Sequence, residues 1–114
     1  MFILILPMKV GEIKPNTEEL RVMLEAGFIL REAAKFDDAE TIFRGCIELM
    51  PDSEVPQIGL GTVFLQKGDF PKALEVCQNA VENYPTSEYA RVHYAEALLF
   101  SNQKELAQTE LKKI

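Results

Sequence analysis

The side chains able to do chemistry in this chain are few, and their spacing does not assemble them. His93 is the single histidine, and no Cys-His or Ser-His-Asp set can be built around it. Cys46 and Cys77 form no CxxC pair; both fall on helical faces among Ile, Phe and Ala, where a thiol acts as a small hydrophobe. No His-x₃-His spacing suggests zinc. The adjacent carboxylates Glu18-Glu19 and Asp37-Asp38 could serve as an acid/base or metal pair. At helix starts, however, capping and the helix dipole account for them. Gly59-Leu60-Gly61 lies inside a helical pattern and not after a strand, which rejects a phosphate-binding loop. No catalytic residue, metal ligand or cofactor is assigned, and the chain is read as a protein without enzymatic activity.

Composition narrows the remaining classes. The chain has 114 residues, 18 acids against 12 bases, and a net charge of −6. A length of this order fits one small domain. The acidic balance argues against nucleic acid, whose phosphates need clustered Lys and Arg. The longest apolar run, Phe2 to Leu6, is far below the roughly 20 residues that span a bilayer. It also lacks the flanks of a secretory signal, and two cysteines do not make a disulfide framework. These features predict a soluble, cytoplasmic protein without membrane insertion.

What positions the side chains is a repeat. Three segments superpose without a gap at a period of 34: residues 20–53, 54–87 and 88–114. They follow an N-terminal apolar segment and linker over 1–19. One small column is Gly27, Gly61 and Ala95, and a second is Ala39, Ala73 and Ala107. Phe36 and Phe70 precede the second column by three residues in two copies, where the third has Lys104. Pro51 and Pro85 close the first two copies.

Each copy reads as two helices and a tight turn. Leu20, Met23, Leu24, Gly27, Phe28 and Leu30 recur at three-and-four spacing, the stripe of an amphipathic helix, with Thr17 as its predicted cap. The second helix is predicted from Asp37, with Asp37 and Glu40 as a capping box. It runs through Phe43 and Cys46 to stop near Pro51. Ser53 caps the next helix, Gly68-Asp69 breaks the chain, and Pro71 opens the helix after it. Asn102 with Glu105 repeats the capping box in the third copy. The small columns allow the paired helices to cross closely: Gly27 and Gly61 face Ala39 and Ala73, while Phe43 and Cys77 fill the adjoining space.

These columns resemble the tetratricopeptide repeat (TPR), a helix-turn-helix unit of 34 residues. Leu60-Gly61, Phe64, Gly68, Phe70, Ala73, Ala80 and Pro85 carry the resemblance best. Gln57 and Arg91 stand where the family often has tryptophan. The resemblance implies an all-α fold, an α-solenoid in which three stacked hairpins form a right-handed superhelix with a concave groove. It also implies which side chains face that groove: Leu24, Phe28 and Arg31 from the first copy; Val55, Ile58, Thr62 and Leu65 from the second; Tyr89, Val92, Glu96 and Leu99 from the third. The column Leu24, Ile58, Val92 is apolar throughout and suits an extended segment or an amphipathic helix of a protein partner. Co-chaperones of this family grip a C-terminal carboxylate with Lys, Asn and Arg. The matching positions here hold Leu24, Phe28, Gly59, Tyr89 and His93, so that clamp is absent.

A closer resemblance is to the small TPR chaperones of bacterial type III secretion, carried by Gln57-Ile58-Gly59-Leu60-Gly61, Gly68-Asp69-Phe70 and His93-Tyr94-Ala95-Glu96-Ala97-Leu98-Leu99. It implies a chaperone for a secreted subunit; the alternative is a fragment or subunit of a larger TPR scaffold. Leu106, Leu111 and Ile114 form an apolar stripe with no helix after it. Repeat arrays usually end in a polar cap, so this stripe or the N-terminal segment predicts a homo- or hetero-oligomer.

Overall fold

The computed structural model describes residues 15–114; the Phe2–Leu6 run lies outside them. Six helices follow one another: α1 (Thr17–Glu32), α2 (Phe36–Leu49), α3 (Val55–Lys67), α4 (Phe70–Asn83), α5 (Glu88–Phe100) and α6 (Lys104–Leu111). They pair as the hairpins α1–α2, α3–α4 and α5–α6, stacked into an all-α solenoid. The first helices of the hairpins touch one another, α1 on α3 and α3 on α5. The second helices do not; α2 and α4 instead lean on the next hairpin through α3 and α5. Helices packed side by side on one flank and splayed on the other bend the stack, and α1, α3 and α5 line its inner face.

All three hairpin turns have the same backbone. Lys35, Asp69 and Gln103 donate their N–H groups to the carbonyls of Leu30, Phe64 and Leu98 at 2.8, 2.9 and 2.8 Å. The residues just before them donate to Arg31, Leu65 and Leu99. This double bond pattern is the Schellman motif, which needs a left-handed residue after the helix. Ala34, Gly68 and Asn102 fill that column with φ of 60°, 86° and 62°. Asn102 is therefore the left-handed turn residue and not a helix cap, a correction to the capping box expected there. Gln103 stands at the cap position of α6 without a side-chain bond.

Two other caps also differ from expectation. Asn16, one residue before Thr17, caps α1: its side chain accepts from Glu19 N–H at 2.8 Å, and Glu19 accepts from Asn16 N–H at 2.9 Å. The reciprocal pair satisfies two otherwise orphaned donors. Helix α2 begins at Phe36 behind Lys35, with no side-chain cap. Asp37 lies in its first turn, where a carboxylate favours the helix dipole, and meets Lys67 at 3.5 Å. Ser53 accepts from Val55 N–H at 3.2 Å from one residue outside the cap position of α3, which Glu54 holds without a side-chain bond. Before Pro51 and Pro85, Met50 and Tyr84 leave the helical region with ψ of 60° and 67°, as the proline ring requires.

The middle of helix α3 is enclosed. Pro56 and every residue from Ile58 to Phe64 are buried, glycines included. The main core joins Ala39, Phe43, Leu60, Val63, Phe64 and Ala73. The Phe43 ring lies between two glycines: a Cβ on Gly27 would stand 2.9 Å from it, and one on Gly59 2.6 Å. In the second hairpin a Cβ on Gly61 would come within 2.6 Å of the Cys77 sulfur. The glycines thus face Phe43 and Cys77 directly, more closely than they face the alanine column. Where tryptophan would pack, polar pairs join the two helices of a hairpin: Asn83 donates to Gln57 at 3.2 Å. Arg91 meets Glu110 at 2.6 Å with both side chains largely buried.

Candidate functional site

The inner face carries a cleft of about 360 Å³ that crosses all three hairpins. Arg31 comes from α1, Thr62, Leu65 and Gln66 from α3, and His93, Glu96 and Phe100 from α5. Three columns of the 34-residue period supply six of them, pairing Arg31 with Leu65, Thr62 with Glu96 and Gln66 with Phe100; His93 comes from the middle of α5. Four belong to the set expected from the sequence: Arg31, Thr62, Leu65 and Glu96.

Arg31 is held by three contacts. Its guanidinium lies 5.1 Å from the centre of the Phe28 ring. It donates to the Thr62 hydroxyl at 2.8 Å and to Glu32 at 2.9 Å. Thr62 in turn donates to the Gly59 carbonyl at 2.7 Å, so its one proton is spent and its lone pairs face the arginine. The Arg31 Nε is enclosed without an acceptor, which costs desolvation free energy. On α5, His93 Nδ1 lies 3.0 Å from Glu96 and its ring meets Tyr89 edge-on at 4.9 Å. Burial pushes the Tyr89 phenol above its usual range; Arg31 opposes that shift and Glu54 adds to it.

The remaining expected residues divide. Leu24 and Phe28 are half-buried and pack against the main core. Val55 is half-buried, while Tyr89 is exposed at the opposite end of α5. Ile58 has no exposed surface and sits in a separate cluster with Ala80 and Ala90. That is a correction. Within the column Leu24, Ile58, Val92, then, Ile58 is covered by Ala90 of α5 and is not open to the groove, whereas Val92 keeps 44% of its surface. Thr62 is 6% exposed and acts through Arg31 instead of offering its own surface. Val92 and Leu99 line a second hollow of about 250 Å³ with His93, Ala95, Glu96 and Leu111, at the α5–α6 end of the stack. Another hollow, about 480 Å³, lies at the α1–α2 turn between Lys35, Asp37, Asp38 and Lys67, away from the inner face.

Gln66, His93 and Phe100 were not among the expected groove residues. Phe100 is 55% exposed and stacks on Phe70, ring centres 5.5 Å apart and 11° from parallel. Its signal was available: it follows Leu99, and Gln66 follows Leu65, in the same column one step on.

Cys46 and Cys77 are buried and unpaired. Burial chiefly, with Glu96 adding, pushes the Cys77 thiol up to about 12, and burial also raises Cys46. Neither thiol is poised as a nucleophile. Among the described residues no group of three or more His, Cys, Asp or Glu is arranged to hold a metal ion. No described helix is long and apolar enough to cross a membrane.

A short stack of helical hairpins with a partly apolar inner face is the architecture of repeat proteins that bind other polypeptides. This chain belongs to the tetratricopeptide-repeat family, whose model matches residues 30–89 and again 64–114. Among curated proteins, none matches the sequence significantly. Among solved structures the fold is similar to SycD, the type III secretion translocator chaperone of Yersinia enterocolitica, crystallised as an alternative dimer. The two superpose with a TM-score of 0.72 over 83% of this chain and 72% of that one, at 19% identity.

Proposed function

We propose that this chain binds an apolar helical or extended segment of a partner polypeptide along α1, α3 and α5, and that it does so as a chaperone for a secreted subunit of a type III secretion system. The observation that carries the reading is the cleft shared by all three first helices, in which Leu65 and Phe100 offer apolar surface between Arg31 and Glu96. An apolar centre bounded by one cation and one anion can hold a segment and set its direction. The absence of a lysine–asparagine–arginine clamp from the matching positions argues against recognition of a C-terminal carboxylate. The likeness to SycD supports the chaperone role.

Binding of this kind comes mainly from burial, at about 25 cal/mol per Å² of apolar area before ordering costs. Its affinity should therefore change little with salt. The test is co-purification from the native host, identification of the bound protein by mass spectrometry, and titration of the bound segment against Leu65→Asp and Phe100→Asp. Both positions keep surface, so both variants should fold and both should bind at least about tenfold more weakly. Unchanged affinity in the pair would remove the groove from the account. A second reading, a fragment or subunit of a larger TPR scaffold, is favoured by the apolar side chains exposed at both ends of the stack.

A further inference from the structure

The interior of the stack shows how one hairpin seats on the next. Ala90 of α5 packs against Ala80 of α4 and Ile58 of α3, and all three are fully buried. The same three columns hold Val22, two periods of 34 before Ala90, and Ile114 and Val92, one period after Ala80 and Ile58. Those side chains are 52%, 49% and 44% exposed. A second pair of columns repeats the contrast. Ile29 occupies the column of Val63 and Ala97 and is 67% exposed, against 0% for each of those two. Leu111 occupies the column of Phe43 and Cys77 and is 42% exposed, against 0% for both. The α1 end therefore presents the upper half of a hairpin junction, and the α5–α6 end presents the lower half.

From this we infer that copies of this chain stack end to end, with the α1 face of one, Val22 and Ile29, seated on the Val92, Leu111 and Ile114 face of another. The occupant is a second copy because the two faces are the two halves of a junction already made twice inside the molecule. Charge does not oppose the match: α1 carries four acids against two bases, whereas residues 88–114 carry four of each. The contact joins two different faces and so leaves a free face at each end, which allows growth past the dimer. It uses neither Leu65 nor Phe100, so its failure and that of the groove are separable.

The test is sedimentation or light scattering of the full chain over a range of concentrations, with Ile29→Asp and Leu111→Asp. Both sites are exposed, so circular dichroism and melting should show folded variants. The parent should rise above its monomer mass of 12.9 kDa as concentration increases. Either variant alone should stay monomeric, since an unpaired charge would be buried at the contact. An equimolar mixture should form one-to-one pairs and nothing larger, because each variant retains the face the other lacks. A parent that remains monomeric would overturn the inference, whether its own residues 1–14 or a different protein covers these faces. So would a mixture that forms no pairs, or a dimer that survives either charge.

Discussion

Replacing Gly59 by alanine adds one methyl group at one of the two tightest points of the core. The new Cβ would stand 2.6 Å from Cε1 and 2.8 Å from Cζ of Phe43, about 1 Å inside ordinary carbon contact. The ring cannot retreat freely, because a Cβ built on Gly27 across the ring is also only 2.9 Å away and Phe28 meets it edge-on at 4.9 Å. Overpacking of this kind costs about 1–3 kcal/mol. Alanine returns about 1 kcal/mol through its better helix propensity. The net loss should then be ~1 kcal/mol, a fall of roughly 4–8 °C in melting midpoint for a domain of this size. Thermal melting followed by far-ultraviolet circular dichroism reads it directly. The same substitution in a Phe43→Leu background should be neutral or stabilising, since leucine lacks the atoms that clash. The coupling between the two sites should reach about 1 kcal/mol. Gly45, with nothing within 4 Å of a built Cβ, is the control: alanine there should stabilise by about 0.5–1 kcal/mol. If Gly59→Ala melted at or above the parent, the wedge of Phe43 between two hairpins would be wrong.

Three further outcomes follow from the packing. Ala34 holds a left-handed conformation at φ 60°, which costs a Cβ-bearing residue roughly 1–2 kcal/mol; Ala34→Gly should raise the urea midpoint, and a lower one would contradict the turn geometry. Ile58→Asp places a carboxylate where no surface is exposed and should abolish cooperative melting, whereas an unchanged midpoint would return Ile58 to the groove. The Cys77 thiol is raised in the folded chain from 9.0 to about 12, so the folded state holds its proton longer than the unfolded state. Its stabilising effect is complete below pH 9 and is lost as pH climbs toward 12, at up to ~1 kcal/mol per pH unit. Cys77→Ala should flatten that alkaline decline, and equal slopes in parent and variant would argue against a buried thiol.

The fold was legible because the repeat period registers the same physical demand three times. A small residue at Gly27, Gly61 and Ala95 and an alanine at Ala39, Ala73 and Ala107 signal helices in close approach. Local chemistry was harder to place. Asn102 followed by Glu105 satisfies a capping-box pattern, yet the chain uses Asn102 for a left-handed turn, because the 34-residue column it shares with Gly68 fixes the backbone there. Asn16 and Thr17 both suit a cap, and the choice between adjacent residues depends on which one Glu19 can reach back to bond. The groove was legible in outline through Arg31, Leu65 and Glu96, and missed at Gln66, His93 and Phe100.

The sequence by itself determined the hairpin count, the helix order and the apolar stripe on each helix, since these follow from spacing along one chain. Tertiary structure alone decided which apolar residues are used up. Ile58 and Val92 occupy one column and are chemically alike, yet one is fully buried and the other 44% exposed. The difference is that α5 stands over Ile58 and no described helix stands over Val92. Burial depends on what lies next in space, and a periodic pattern assigns equivalent residues the same role without registering which of them has another helix over it.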